Sequence, residues 1–277
     1  MTNLVQRALT GAIYVALTIF CMLFSMDTAF LFIFIINIFC LFEFYQILSP
    51  EARGIAKYGP ILVSALIFFQ YLIGFDQIAV PGDIEGMILL VLFGLMALEV
   101  LSSKSQPFQY LGTVILSFLY ITISLVLFLR IGINYEEFIM SSTYFNGHKL
   151  LVIFILIWSS DTFAYLVGKY FGKHKLAPKI SPKKTIEGAI GGLLGTVLVS
   201  WVLHITMRQF GLTDSIIIAV LVFVFGMLGD LLVSRLKRSM NIKDSGTLLP
   251  GHGGFLDRFD SLLLAGPIVY LYLTFVS

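Results

Sequence analysis

Between Ser234 and Asp260 the chain reads S-R-L-K-R-S-M-N-I-K-D-S-G-T-L-L-P-G-H-G-G-F-L-D-R-F-D. Five basic residues, three carboxylates, one histidine and four glycines stand there between two apolar segments. Asp230, Ser234, Lys237 and Arg238 are spaced i, i+4, i+7 and i+8, so a helix carries them on one face. A carboxylate one or two turns deep with cations above it suits a metal ion joined to phosphate. The cations also have a plainer reading, because basic residues at a helix C-terminus complement its dipole and mark the cytoplasmic side. Asp230 is harder to explain that way, since an ionisable group within a span is costly and usually lines a cavity.

Downstream, Gly251, Gly253 and Gly254 permit turns that aim backbone N–H groups at an anion, or simply make a flexible connector. Asp257 and Asp260 stand three apart at the start of the last apolar segment. They read either as helix-cap acids or as ligands of a divalent cation opposite Asp230. His252 is a candidate ligand, phosphate donor or loop cap.

A second polar stretch lies upstream, W-S-S-D-T-F-A-Y-L-V-G-K-Y-F-G-K-H-K-L-A-P-K-I-S-P-K-K-T-I-E-G. Asp161 and Tyr165 share a helix face, and Glu187 closes the stretch. The six-lysine connection between them, Lys183 and Lys184 included, reads as polyanion capture or as charge sorting, with Ser181-Pro182 as an expected helix start. Gly168-x-x-x-Gly172-Lys173 lacks both the spacing and the Ser/Thr of a phosphate-binding loop. Gly188, Gly191, Gly192 and Gly195 have the small-residue spacing of helix packing or of a homodimer. Glu43 and Glu99 stand alone in early apolar runs, and the sequence gives them no role beyond buried polar contacts. No G-x-S-x-G elbow, H-E-x-x-H helix or cysteine cluster is present.

The elements that must position these residues are apolar. Of 277 residues, 58% are hydrophobic and 12% charged, against about 25% charged in soluble domains; the mean hydropathy is +0.95. The expected fold is an all-α polytopic membrane protein forming one membrane domain over 1–277. Residues 1–133 are its nearly featureless hydrophobic part, and 134–277 the part with the chemistry. Cys21 and Cys40 both lie in apolar runs and read as small core residues. The first run reads as a retained span rather than a cleaved signal.

About nine segments are long enough to span or nearly span a bilayer: 8–26, 28–48, 60–75, 87–101, 110–133, 150–168, 186–207, 213–233 and 261–276. With the N-terminus cytoplasmic and the C-terminus outside, all of the 18 basic residues except Arg130, Lys149 and Arg208 fall on the cytoplasmic side.

The stretch from Ser234 to Asp260 resembles the signature of the phosphatidate cytidylyltransferase (CDP-diacylglycerol synthase) family. That pattern is S-x-apolar-K-R, then K-D-x-small, then H-G-G-apolar-x-D-R-apolar-D. The positions that carry it run from Ser234, Leu236, Lys237 and Arg238 through Lys243, Asp244 and Gly246 to His252, Gly253, Gly254, Phe255, Asp257, Arg258, Phe259 and Asp260. D-T-F-A-Y and S-P-K-K-T-I-E-G resemble the family as well. The likeness is specific from Asp161 to Asp260 and only topological before.

It implies that CTP and phosphatidate give CDP-diacylglycerol and pyrophosphate with Mg2+, at a bacterial inner membrane, with the active site facing the cytoplasm. The chemistry agrees with the residues. The lipid phosphate is already ionised, so no strong base is needed. Two polyanions must be held together, which calls for positioning and cations. On this reading Asp230 and Asp257 bind the metal, with Asp260 or Asp161 assisting. Lys237, Arg238, Lys243 and Arg258 hold phosphates. Ser234, His252 and the Gly253–Gly254 backbone orient the triphosphate, Asp244 belongs to the substrate site, and Lys183 and Lys184 take the lipid phosphate or CTP.

Two alternatives remain at this stage. One is another membrane phosphotransferase, although the D-G-x-x-A-R pattern of CDP-alcohol phosphotransferases is absent. The other is a transporter of an anionic lipid or solute, which would place polar groups near the midplane and often show an internal repeat.

Overall fold

A computed structural model of the chain describes residues 3–50, 55–75, 94, 107–134, 144–246, 248 and 253–276. Helices dominate. In chain order they are α1 (Asn3–Phe24), α2 (Met26–Leu48), α3 (Ile55–Phe75), α4 (Pro107–Ser117), a π-helical stretch (Phe118–Ile123) and α5 (Ser124–Arg130). They continue with α6 (Gly147–Phe171), α7 (Ile186–Met207), α8 (Leu212–Ser239) and α9 (Leu256–Phe275).

Among the described residues, five stretches are long and apolar enough to cross a membrane: Met26–Leu48, Tyr110–Arg130, Gly147–Phe171, Ile186–Met207 and Leu212–Ser239. The expected first, third and ninth spans coincide with α1, α3 and α9, and the expected span at 87–101 lies outside the described residues apart from Gly94.

Among the described residues, two short antiparallel hairpins interrupt the helical pattern. In the first, β1 (Ile133–Asn134) pairs with β2 (Tyr144–Phe145). In the second, β3 (Lys175–Ala177) pairs with β4 (Ser181–Thr185). The expected helix start at Ser181-Pro182 is therefore corrected. Those residues are strand, and the helix begins at Ile186 with Thr185 as N-cap, its Oγ1 accepting from Gly188 N at 3.1 Å. Threonine takes the cap because its hydroxyl satisfies an N–H that the first turn leaves unpaired.

The glycine stripe of α7 lies against α6. A Cβ on Gly191 would strike Val167, on Gly192 Ala164 and Phe223, and on Gly195 the Phe163 ring. The packing alternative thus accounts for the stripe: small residues let two backbones approach where lipid supplies no hydrophobic drive. Gly229 of α8 does the same against the Asp260 carbonyl of α9. These two close approaches fix α6, α7, α8 and α9 relative to one another and bring Asp161, Asp230 and Asp260 to one end of the bundle.

The first half also carries polar structure. Asn37 Nδ2 donates to Ser64 Oγ at 2.7 Å, Ser64 and Thr122 hydroxyls lie 2.8 Å apart, and Tyr45 Oη and Ser117 Oγ are 2.6 Å apart. Such bonds join helices where an unpaired polar group would be costly. Arg130, Lys149 and Arg208, the basic residues set apart by the sequence, lie away from the acidic end. Arg130 Nη1 is 3.5 Å from Tyr270 Oη near the C-terminus of α9, Lys149 Nζ stands over the Phe210 ring, and Arg208 caps α7 with a left-handed backbone.

Candidate active site

Five elements, α6, β3, β4, α7 and α8, line one cleft of about 460 Å³. The C-terminal half of α6 contributes Asp161, Tyr165 and Lys169; β4 contributes Lys183 and Lys184; α8 contributes Asp230. Ala164, Leu176, Phe223 and Met227 supply apolar wall. The shared face expected for Asp161 and Tyr165 is the face that lines this cleft.

Asp230 is held from two sides. Ser234 Oγ, one turn on, donates to Oδ1 at 3.1 Å, and Lys184 Nζ lies 2.6 Å from Oδ2. The side chains of Lys184 and Asp230 are 27% and 31% exposed, so their pairing stays reachable from the cleft. The carboxylates of Asp161, Asp230 and Asp260 repel one another, and the charges of Lys184 and Arg258 offset that repulsion at Asp161. Asp260 is buried; its Oδ1 accepts from Ser261 N at 2.7 Å and from Ser261 Oγ at 3.3 Å.

Asp257, expected opposite Asp230, has a different immediate neighbourhood. Its Oδ1 pairs with Lys237 Nζ and its Oδ2 accepts from Ser245 N at 2.8 Å. Both partners of the ion pair are nearly buried, with side chains 13% and 11% exposed. The pair ties the end of α8 to the start of α9 across the signature loop. Lys237 and Arg238, adjacent in sequence, diverge: Arg238 Nε reaches toward the Ile180 carbonyl of the β3–β4 hairpin at 3.5 Å.

The chain leaves α8 through Asn241, whose φ of 56° is left-handed, and Ile242 N donates back to Lys237 O at 3.0 Å. This is the six-to-one closure of a helix end, with asparagine in the left-handed position. Lys243 and Asp244 follow, both exposed. Gly253, at φ 81°, adopts a backbone that other residues rarely accept, and a Cβ there would meet Asp257 Oδ2. His252 lies outside the described residues.

Glu187 serves the hairpin rather than the cleft. Its carboxylate accepts from Lys173 N at 3.0 Å and from His174 N at 3.2 Å, and His174 Nδ1 is 2.6 Å away. This closes the turn out of α6 and holds the lysine-bearing strands beside the cleft.

The sequence left two residues without a role, Glu99, which lies outside the described residues, and Glu43. It sits fully buried near the end of α2. Its Oε1 accepts from Phe255 N at 2.9 Å, and its Oε2 accepts from Leu256 N at 2.9 Å and Ser245 Oγ at 2.7 Å. The signal visible in sequence was only an acid near the end of an apolar run. Its partners lie more than 200 positions away.

The cytidylyltransferase family model matches residues 5–276. The chain belongs to that family. A phosphatidate cytidylyltransferase of Bacillus subtilis (strain 168) is 30% identical over 281 aligned positions that cover 100% of both proteins. One from Staphylococcus aureus (strain COL) is 35% identical over 255 positions, 85% of this chain and 96% of that protein. One from Staphylococcus saprophyticus is 46% identical over 127 positions, 46% of this chain and 49% of that protein. Members of a cytidylyltransferase family must bind a nucleoside triphosphate, and the acidic and basic groups at one end of the bundle are the equipment such a substrate requires.

The residues present fit a magnesium ion. Asp161 and Asp230 open on one cleft and repel each other, which is a donor set of hard oxygens that a divalent cation would relieve. Among the described residues no three acidic, histidine or cysteine side chains converge as a closed ligand cage. Magnesium does not need one, since it commonly takes one or two carboxylates and completes its shell with water and substrate phosphate.

Proposed function

We propose that the chain is a magnesium-dependent phosphatidate cytidylyltransferase of the bacterial cell membrane, with its site on the cytoplasmic side. The observation that carries the reading is the cleft in which Asp161, Asp230, Lys183 and Lys184 meet apolar wall. It suits a substrate pair with ionic heads and one apolar body. Family membership supplies the cytidylyl group, and the full-length relatives supply the lipid acceptor.

An oxygen of the lipid phosphomonoester attacks the α-phosphorus of CTP, the α–β phosphoanhydride bond breaks, and pyrophosphate leaves with the electron pair. No proton has to be removed from the nucleophile. Lys183 and Lys184 bring the lipid phosphate to the cleft and offset its repulsion from the triphosphate. Lys237, Arg238, Lys243 and Arg258 receive the charge that grows on pyrophosphate. Ser234 keeps the Asp230 carboxylate aimed by its hydrogen bond. Asp230 and Asp161 would hold magnesium, with Asp260 behind them, and the bound ion would align and neutralise triphosphate oxygens. Asp257 enters through Lys237, whose ammonium it holds at the junction of α8 and α9.

Orientation follows from charge. Nine spans with a cytoplasmic N-terminus put the cleft, the β3–β4 lysines and the end of α8 on the side where CTP is present. The transporter alternative loses support, because the family model and the relatives are cytidylyltransferases.

Metal dependence is directly testable. Transfer from CTP to lipid is expected to stop with excess EDTA and to return on adding magnesium. Transfer that continues unchanged through chelation would overturn the metal assignment.

A further inference from the structure

Glu43 is buried among apolar helices, yet both of its oxygens are occupied by donors from the far end of the chain. Two of those donors, Phe255 N and Leu256 N, belong to the first turn of α9, where N–H groups lack helical partners and favour negative charge. The third, Ser245 Oγ, belongs to the other end of the signature loop. The backbone N–H of that same serine holds Asp257 Oδ2, and Asp257 Oδ1 holds Lys237.

The surrounding residues leave room for nothing larger. A Cβ on Gly246 or Gly254 would overlap the Glu43 carboxyl, and the one on Gly254 would overlap Ser245 Oγ as well. Phe255 stacks on Phe39 of α2 at 4.6 Å, fixing the same junction through its ring.

We propose that Glu43 is a positioning residue for nucleotide transfer: from α2 it clamps both ends of the signature loop, and so sets where Lys237 and Asp257 are presented to the triphosphate of CTP. This rests on the functional reading above. It makes the apolar first half of the chain part of the site, through one carboxylate and three donors. Because the role needs an acceptor for all three, a carboxylate matters more than side-chain length. Glutamine matches the length but brings an amide that cannot accept from two N–H groups and a hydroxyl together.

The test compares Glu43→Gln, Glu43→Asp and Ser245→Ala in detergent-purified full-length protein by two readouts. One is hydrogen exchange at the amides of Phe255 and Leu256. The other is the KM for CTP set against the KM for phosphatidate. Glu43→Gln is expected to speed exchange at both amides and to raise the KM for CTP roughly tenfold or more, with the KM for phosphatidate within about threefold. Glu43→Asp is expected to lie closer to wild type than Glu43→Gln. Ser245→Ala, which removes one donor of the three, shows a smaller change of the same kind and serves if Glu43→Gln does not fold.

Unchanged exchange in Glu43→Gln, or in Ser245→Ala where that variant stands in for it, would overturn the proposal. So would an activity loss that only tracks the folded fraction at constant KM for CTP. A glutamine variant better than the aspartate one would also overturn it, since that is the order for simple space filling. If wild type shows no transfer, the functional reading fails while the exchange measurement still decides the clamp.

Discussion

Asp230→Asn is expected to lower transfer from CTP to phosphatidate by roughly 10³-fold, the scale of removing a principal electrostatic group from a site that acts by charge stabilisation. Asparagine is close in size and keeps an acceptor for Ser234 Oγ, so the end of α8 keeps its shape. What disappears is the negative charge that Lys184 pairs with at 2.6 Å and that faces Asp161 across the cleft. The expected signature is a collapse of kcat with normal insertion, normal detergent behaviour and an unfolding temperature near wild type. Steady-state kinetics on the purified variant check it. Activity within threefold of wild type would remove Asp230 from the site.

Asp257→Ala should differ in kind. A residue that only held a metal would cost turnover and leave the fold intact when truncated. The geometry adds a stability cost, because truncation strands the nearly buried Lys237 ammonium and frees Ser245 N. Breaking a buried pair by removing one partner typically costs about 3–5 kcal/mol, whereas replacing both partners by apolar groups is often neutral. Asp257→Ala is thus expected to lower the unfolding temperature and to abolish transfer. The double variant Lys237→Met with Asp257→Leu is expected to regain most of the stability and none of the activity. Thermal unfolding in detergent beside the transfer assay separates the two effects. An Asp257→Ala protein as stable as wild type would show that the pair does not hold the loop.

These two variants mark what the sequence could and could not convey. Asp230, Ser234 and Lys237 were legible together because helical spacing alone puts them on one face, and the Ser234–Asp230 bond realises that spacing. Asp161 and Tyr165 were legible for the same reason. The glycines of α7 announced a close approach, though not that α6 would be the neighbour.

Partners across the fold were not legible. The lysine connection was read by its charge, while its hairpin depends on Glu187 reaching back to Lys173 and His174. Asp257 offered two readings in sequence, helix-cap acid and cation ligand, and its pairing with Lys237 belongs to neither. Glu43 was opaque because an isolated acid in an apolar run acquires meaning from its donors, and those are set by how α2 meets α9. Long-range polar contacts of this kind leave no periodic trace.

Cytidylyl transfer to the lipid is measured by supplying purified wild-type protein with magnesium, phosphatidate and CTP labelled at the α-phosphate, and following label into the lipid phase. Lipid-bound label that requires phosphatidate is expected, with pyrophosphate released in equal amount. Folded protein that leaves the label in the aqueous phase, or that passes it to an acceptor other than phosphatidate while ignoring phosphatidate, would contradict this function.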